Sequence, residues 1–178
     1  MRLPLDRPAS ETGAPTFETM AFKRLEGFVS EHDLLVILCR EAPPTDADWS
    51  QYINAVSASA AKLSANLANI LTLVLSDGGA PNAMQRTRLT EFHEKSSTRA
   101  PVSLISDSPL VRGAARAMAL FNPKFKVFAP DSFLTALDHL GLRPSSASLV
   151  KGHILEIEQQ LGGPRLQVVR AIFARSVK

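Results

Sequence analysis

Residues Leu71–Thr87 read LTLVLSDGGAPNAMQRT. The apolar run stops at Asp77, two glycines follow, and Pro81 opens a new segment. A continuous run rich in Leu and Val is the pattern of a strand buried on both faces. Pro81 stands where a first helical residue belongs, because its missing N–H would have no partner there and its φ is already helical. The stretch is therefore a strand, a tight turn and a helix in succession.

Reading outward extends that unit into an alternation. Upstream, LLVILCR is a second continuous apolar run, and PPTDADWSQYINAVSASAAKLSANL is a helix with Thr45 or Asp46 as N-cap. Trp49, Ile53, Val56, Ala60 and Leu63 recur along it at helical spacing. Trp49 is expected to staple this helix to the sheet. FETMAFKRLEGFVS, from Phe17, alternates imperfectly and reads as a strand with a short helix as the competitor; Gly27 suggests a bulge or bend. Downstream, PNAMQRTRLTEFHEKSS is a helix with Met84, Leu89 and Phe92 near one face and Arg86, Arg88, Glu91 and Glu94 elsewhere. APVSLISDS is a buried strand, PLVRGAARAMALFN a proline-opened helix, FKVFAP a short edge strand, and DSFLTALDHLG a helix capped by Asp131 and closed by Gly141. Strands that follow helices are expected to be parallel, and the first two to pair as a hairpin. The fold class is α/β, with a mixed, mostly parallel sheet, an N-terminal hairpin and flanking helices.

Composition bounds the function. The chain has 178 residues, 45% of them hydrophobic, enough for one full core. Net charge is +3 with both signs mixed along the sequence, so no concentrated basic field points to nucleic acid. Cys39, the single cysteine, lies inside an apolar run and reads as a small buried hydrophobe, which argues against disulfides and metal clusters. His32, His93, His139 and His153 sit on separate elements without metal-ligand spacing. No stretch approaches the ~20 apolar residues of a membrane span, so a cytoplasmic protein is the expectation. No cofactor is implied.

Both ends lie outside the alternation. Residues 1–16 contain three prolines and little apolar periodicity, as expected for a flexible arm or a loosely docked strap. Residues 143–178 form two further helices. Val150, Ile154, Ile157 and Leu161 make a 4-3-4 seam beside Glu156 and Glu158, ended by Gly162 and Gly163; Leu166, Val169, Phe173 and Val177 make a second stripe. Arg165, Arg170, Arg175 and Lys178 leave that second helix basic. The stripes must be buried on the sheet, on a second copy as a homodimer, or on another protein.

A leading hairpin followed by β-α units, with a glycine-containing loop after the third strand, resembles the STAS family, the sulfate transporter and anti-sigma factor antagonist domain. The resemblance covers residues 17–142, leaving 1–16 as an arm and 143–178 as a helical C-terminal extension. It implies a non-catalytic protein-interaction module in bacterial-type signalling or assembly. It also implies that the partner contacts the loop and helix after the third strand: Asp77, Gly78, Gly79, Pro81 and Asn82, with Arg86 and Arg88. In partner-switching members an Asp in this loop precedes a phosphorylatable Ser or Thr; here Asp77 is followed by Gly78 and Gly79, and Ser76 belongs to the strand end, so the usual phospho-acceptor is missing.

The same residues exclude other loop chemistries. A P-loop needs a Lys and a hydroxyl after its second glycine, and DGGAPNAM has neither. A dinucleotide fingerprint needs a third glycine for close helix packing. The alternative function is a small-ligand (anion or nucleotide) binding protein or an enzyme at the carboxyl edge of the sheet, where Asp77, Asp107 and Asp131 would gather.

Overall fold

The structure, a computed structural model, describes residues 18–29, 32–62, 69–94 and 99–174. The N-terminal arm, Phe17, Leu63, Arg175, Val177 and Lys178 lie outside these residues, as do the side chains of Phe92, His93 and Glu94. Five strands form one sheet in sequence order: β1 (Met20–Val29), β2 (His32–Cys39), β3 (Ile70–Ser76), β4 (Val102–Ile105) and β5 (Phe125–Phe128). β1 pairs antiparallel with β2, and every later pair is parallel. The hairpin register shifts between Leu25 and Val29, where Gly27 takes φ 57° and donates its N–H to the Asp33 carboxylate at 3.0 Å. That is the bulge the glycine suggested.

The crossovers are α1 (Asp46–Lys62), α2 (Ala83–Glu94) and α3 (Pro109–Phe121). Because the sheet grows in one direction from β2 to β5, right-handed crossovers put all three helices on the same face. The other face would be bare without the rest of the chain. It is covered by α4 (Phe133–His139), α5 (Ala147–Leu161) and α6 (Gln167–Ala174), with short 3₁₀ turns at Pro130–Ser132 and Pro144–Ser146. Strand alternation then sorts the core. Leu34, Val36, Leu38, Leu71, Leu73, Leu75 and Ile105 meet α4–α6, whereas Leu35, Ile37, Cys39 and Ile70 meet α1 and its neighbours.

The C-terminal helices are thus the second cover of the sheet and share one core with it. Val150, Ile154, Ile157, Leu161, Leu166 and Val169 are all buried there, and Phe173 packs alongside. The described residues of both stripes are therefore covered within the chain rather than by a second copy.

Three local expectations change. α2 begins at Ala83 rather than Pro81, because Asn82 supplies the cap. Met84 is 60% exposed instead of facing inward; Gln85 and Leu89 are buried. Asp131 belongs to the 3₁₀ turn that precedes α4, whose N-cap position is Ser132. Gly141 does close α4, with φ 73°.

Candidate functional site at the turn between β3 and α2

The turn is built from the last pair of the β2–β3 ladder, Cys39 opposite Ser76. Beyond it the two strands stay joined: Asp77 N–H donates to Cys39 O at 3.1 Å and Gly79 N–H to Arg40 O at 2.7 Å. Gly79 has to be glycine, since a Cβ there would lie 2.4 Å from Arg40 O and 2.5 Å from Ala42 O. The Ser76 hydroxyl, 1% exposed, donates to Gly79 O at 2.9 Å and accepts Gly78 N–H at 3.2 Å. It is a turn-forming group held away from solvent.

Asp77 does not face outward. Its carboxylate accepts the Gln167 and Val168 N–H groups, both at 2.8 Å. These are first-turn amides of α6, which no carbonyl of their own helix can satisfy, so Asp77 acts as a cap supplied from across the fold. Arg40 adds a second tie: its guanidinium donates to Pro164 O at 3.0 Å, to Gly162 O, and to Glu18 O at 3.1 Å. Asn82 and Gln85 form a reciprocal capping box, with Gln85 N–H on Asn82 Oδ1 at 2.9 Å and Asn82 N–H on Gln85 Oε1 at 3.0 Å. Gln85 Nε2 then donates to Pro44 O and Asp46 Oδ1, both at 3.0 Å, while Trp49 Nε1 donates to Gln85 O at 3.1 Å. Gln85 therefore joins α2 to the start of α1. The box spacing N-x-x-Q was the available sequence signal for it.

The seven residues assigned to a partner surface separate accordingly. Asp77 is engaged by α6, Gly79 is buried, and Gly78 and Pro81 are half-buried. Asn82 is exposed, with its side chain held by the cap. Arg86 and Arg88 are exposed; Arg86 Nη1 donates to Pro81 O at 2.7 Å, and neither guanidinium meets a carboxylate of the described residues. Met84, 60% exposed, lies one turn before Arg88.

Asp77, Asp107 and Asp131 follow adjacent strands, and Asp77 is engaged by α6. Asp107 is exposed, and Asp131 accepts from the Ser132 hydroxyl at 3.1 Å. Among the described residues no three His, Cys, Asp or Glu side chains approach closely enough to hold a metal ion. Burial, helped by the negative Asp48, pushes the Cys39 thiol up to about 12, so it stays protonated and unreactive at neutral pH.

A cavity of about 1050 Å³ lies between the sheet and helices α2 and α3. Apolar side chains of the strands make its floor, including Val74 and Leu104, and Leu89, Val111 and Met118 line it from the helices. Arg86, Glu91 and Arg99 contribute its charged wall groups, and Asp77, Asp107 and Asp131 take no part in it.

No family model and no curated protein matches the sequence. A solved structure from Shewanella loihica, an uncharacterized protein of the DUF3478 family described as having a SpoIIAA-like fold, is similar to this chain with 17% identity and a TM-score of 0.49. The similarity covers 71% of this chain and 98% of that one. It is a likeness of fold only.

The element order and mixed sheet match the alternation and N-terminal hairpin expected from the sequence. The cavity had no sequence signal. The role of Asp77 was equally hidden, since its partners lie 90 and 91 residues away.

Proposed function

We propose that this chain is a non-catalytic protein-interaction module in a regulatory or assembly complex, and that its partner docks on the outer face of α2. The observation that carries this reading is the exposure of Met84 beside Arg88, with no carboxylate among the described residues neutralising the arginine. Arg and Met are enriched in protein interfaces, where a planar guanidinium and an adaptable thioether give contact area without a fixed shape. The turn before α2 supports the surface from behind, because its polar groups are already bonded to β2, α1 and α6. A partner with an acidic, partly apolar patch fits this chemistry. The test is affinity purification of the tagged chain from the organism that encodes it, wild type against Met84→Asp with Arg88→Glu. Arg86 is left unchanged because it also lines the cavity. The double variant is expected to fold normally and to lose its partner by more than tenfold in recovered amount, about the effect of two disrupted interface anchors. Partner recovery equal to wild type would reject the surface.

A further inference from the structure

The cavity draws residues from all five strands, among them Met20, Ile37, Thr72, Leu104 and Phe125. At ~4.8 Å between neighbours, five strands span about 19 Å of sheet. A volume of about 1050 Å³ is at the upper end of small-ligand sites and far above ordinary packing voids. Its walls are mainly apolar, so water filling it would find few hydrogen-bond partners. An elongated hydrocarbon chain matches both the extent and the lining.

Two buried wall groups offer hydroxyl donors. Thr72 is 6% and Tyr52 8% exposed, both line the cavity, and neither side-chain hydroxyl has a hydrogen-bond partner among the described residues. The other buried polar wall groups are satisfied: Ser76 within its turn, Asn122 by Ala100 O and Lys124 N–H. Thr72 pairs across the ladder with Val102, three residues after Arg99, so its hydroxyl and a half-buried arginine belong to the same end of the cavity. Hydroxyl donors near a cation suit a carboxylate. Arg86 lines the wall near the start of α2, toward the other end of the strands, and Glu91 is the acid in the wall.

We propose that this cavity binds a long-chain fatty acid, with its carboxylate at Thr72 and Arg99, the Tyr52 hydroxyl as a further donor, and its hydrocarbon chain over Val74 and Leu104. The site is separate from the outer face of α2 and does not depend on that face being an interface.

Trp49, the single tryptophan, lines the cavity and reports on it. The full chain, stripped of bound lipid, is titrated with palmitate and with methyl palmitate, following Trp49 fluorescence and, in parallel, the heat of binding. Palmitate is expected to bind saturably at one site per chain and the ester about tenfold more weakly or less. Thr72→Val and Tyr52→Phe, near-isosteric changes that keep the core filled, should each weaken palmitate by about tenfold, the effect of one hydrogen bond to a charged group. Ala115→Phe, which fills the space beside Leu104, should abolish binding; if it does not fold by circular dichroism, Thr72→Val decides. Absence of saturable palmitate binding in both measurements would overturn the proposal. So would equal affinity for acid and ester together with an unchanged Thr72→Val.

Discussion

The two faces of the sheet are made of the same kind of strand residue and end up in different states. On the face under α4–α6, Leu137, Val150, Ile154, Ile157 and Val169 all reach 0% exposure against Leu34, Leu73 and Ile105. On the other face, α1 packs through Trp49, Tyr52 and Val56, while α2 buries Gln85 and Leu89 and leaves Met84 outside. The helices decide the difference. Those on the first face carry regular apolar stripes, whereas α2 is polar nearly all round and stands over a cavity. The comparison teaches that the late helices close the core, and that the crossover side keeps an open space.

The comparison breaks most directly through truncations of equal chemistry on opposite faces. Ile157→Ala should cost about 4 kcal/mol, because a fully packed site loses transfer energy and gains a void. Leu104→Ala should cost about 2 kcal/mol, since its side chain already borders open space and little new cavity is created. Urea unfolding of both variants measures this, and equal losses would mean that the cavity closes in solution.

The adjacent glycines of the turn give the next effect. Gly79→Ala should destabilise by about 2–3 kcal/mol, because its new methyl meets backbone oxygens that belong to the β2–α1 connection. Gly78→Ala should cost less than about 1 kcal/mol, as its nearest neighbour is the flexible Glu41 Cγ at 3.3 Å. Urea midpoints of the two variants should therefore separate clearly. If they coincide, the turn is looser than its hydrogen bonds imply.

Asp77→Ala should follow with a loss of about 1–2 kcal/mol, the usual scale of a removed N-cap. The effect should be local to the covered face: amide exchange at Gln167 and Val168 should accelerate, with α2 little changed. Faster exchange in α2 instead would place Asp77 in the wrong network.

These residues also show what was legible in the sequence. Val150, Ile154, Ile157 and Leu161 were readable as one buried stripe because a helix packed on one side repeats its apolar contacts at a fixed period. Their destination was readable only in part. A sheet whose strands follow sequence order, with crossovers of one hand, needs a second cover, and the order itself came from the structure. Among the described residues of α2 only Met84 departs from the expected face, because a glutamine takes the core position one turn before the buried Leu89. Asp77 was found as a distinctive residue of the turn, but its capping role depends on a segment brought near by the whole fold.

The smallest effect carries the clearest sign. Ser103 and Thr72 are hydroxyl residues on neighbouring strands, 0% and 6% exposed. Ser103 belongs to the filled face and donates to Ala136 O at 2.7 Å, so Ser103→Ala should lose about 1 kcal/mol. Thr72 belongs to the cavity face, where its hydroxyl has no partner among the described residues. Replacing it with valine exchanges an unpaired polar atom for a methyl of the same shape. The unliganded chain should therefore keep its stability or gain up to about 1 kcal/mol. A loss in Thr72→Val equal to that of Ser103→Ala, measured by urea unfolding of the lipid-free chain, would mean that the hydroxyl is already bonded. The two faces would then differ in volume alone.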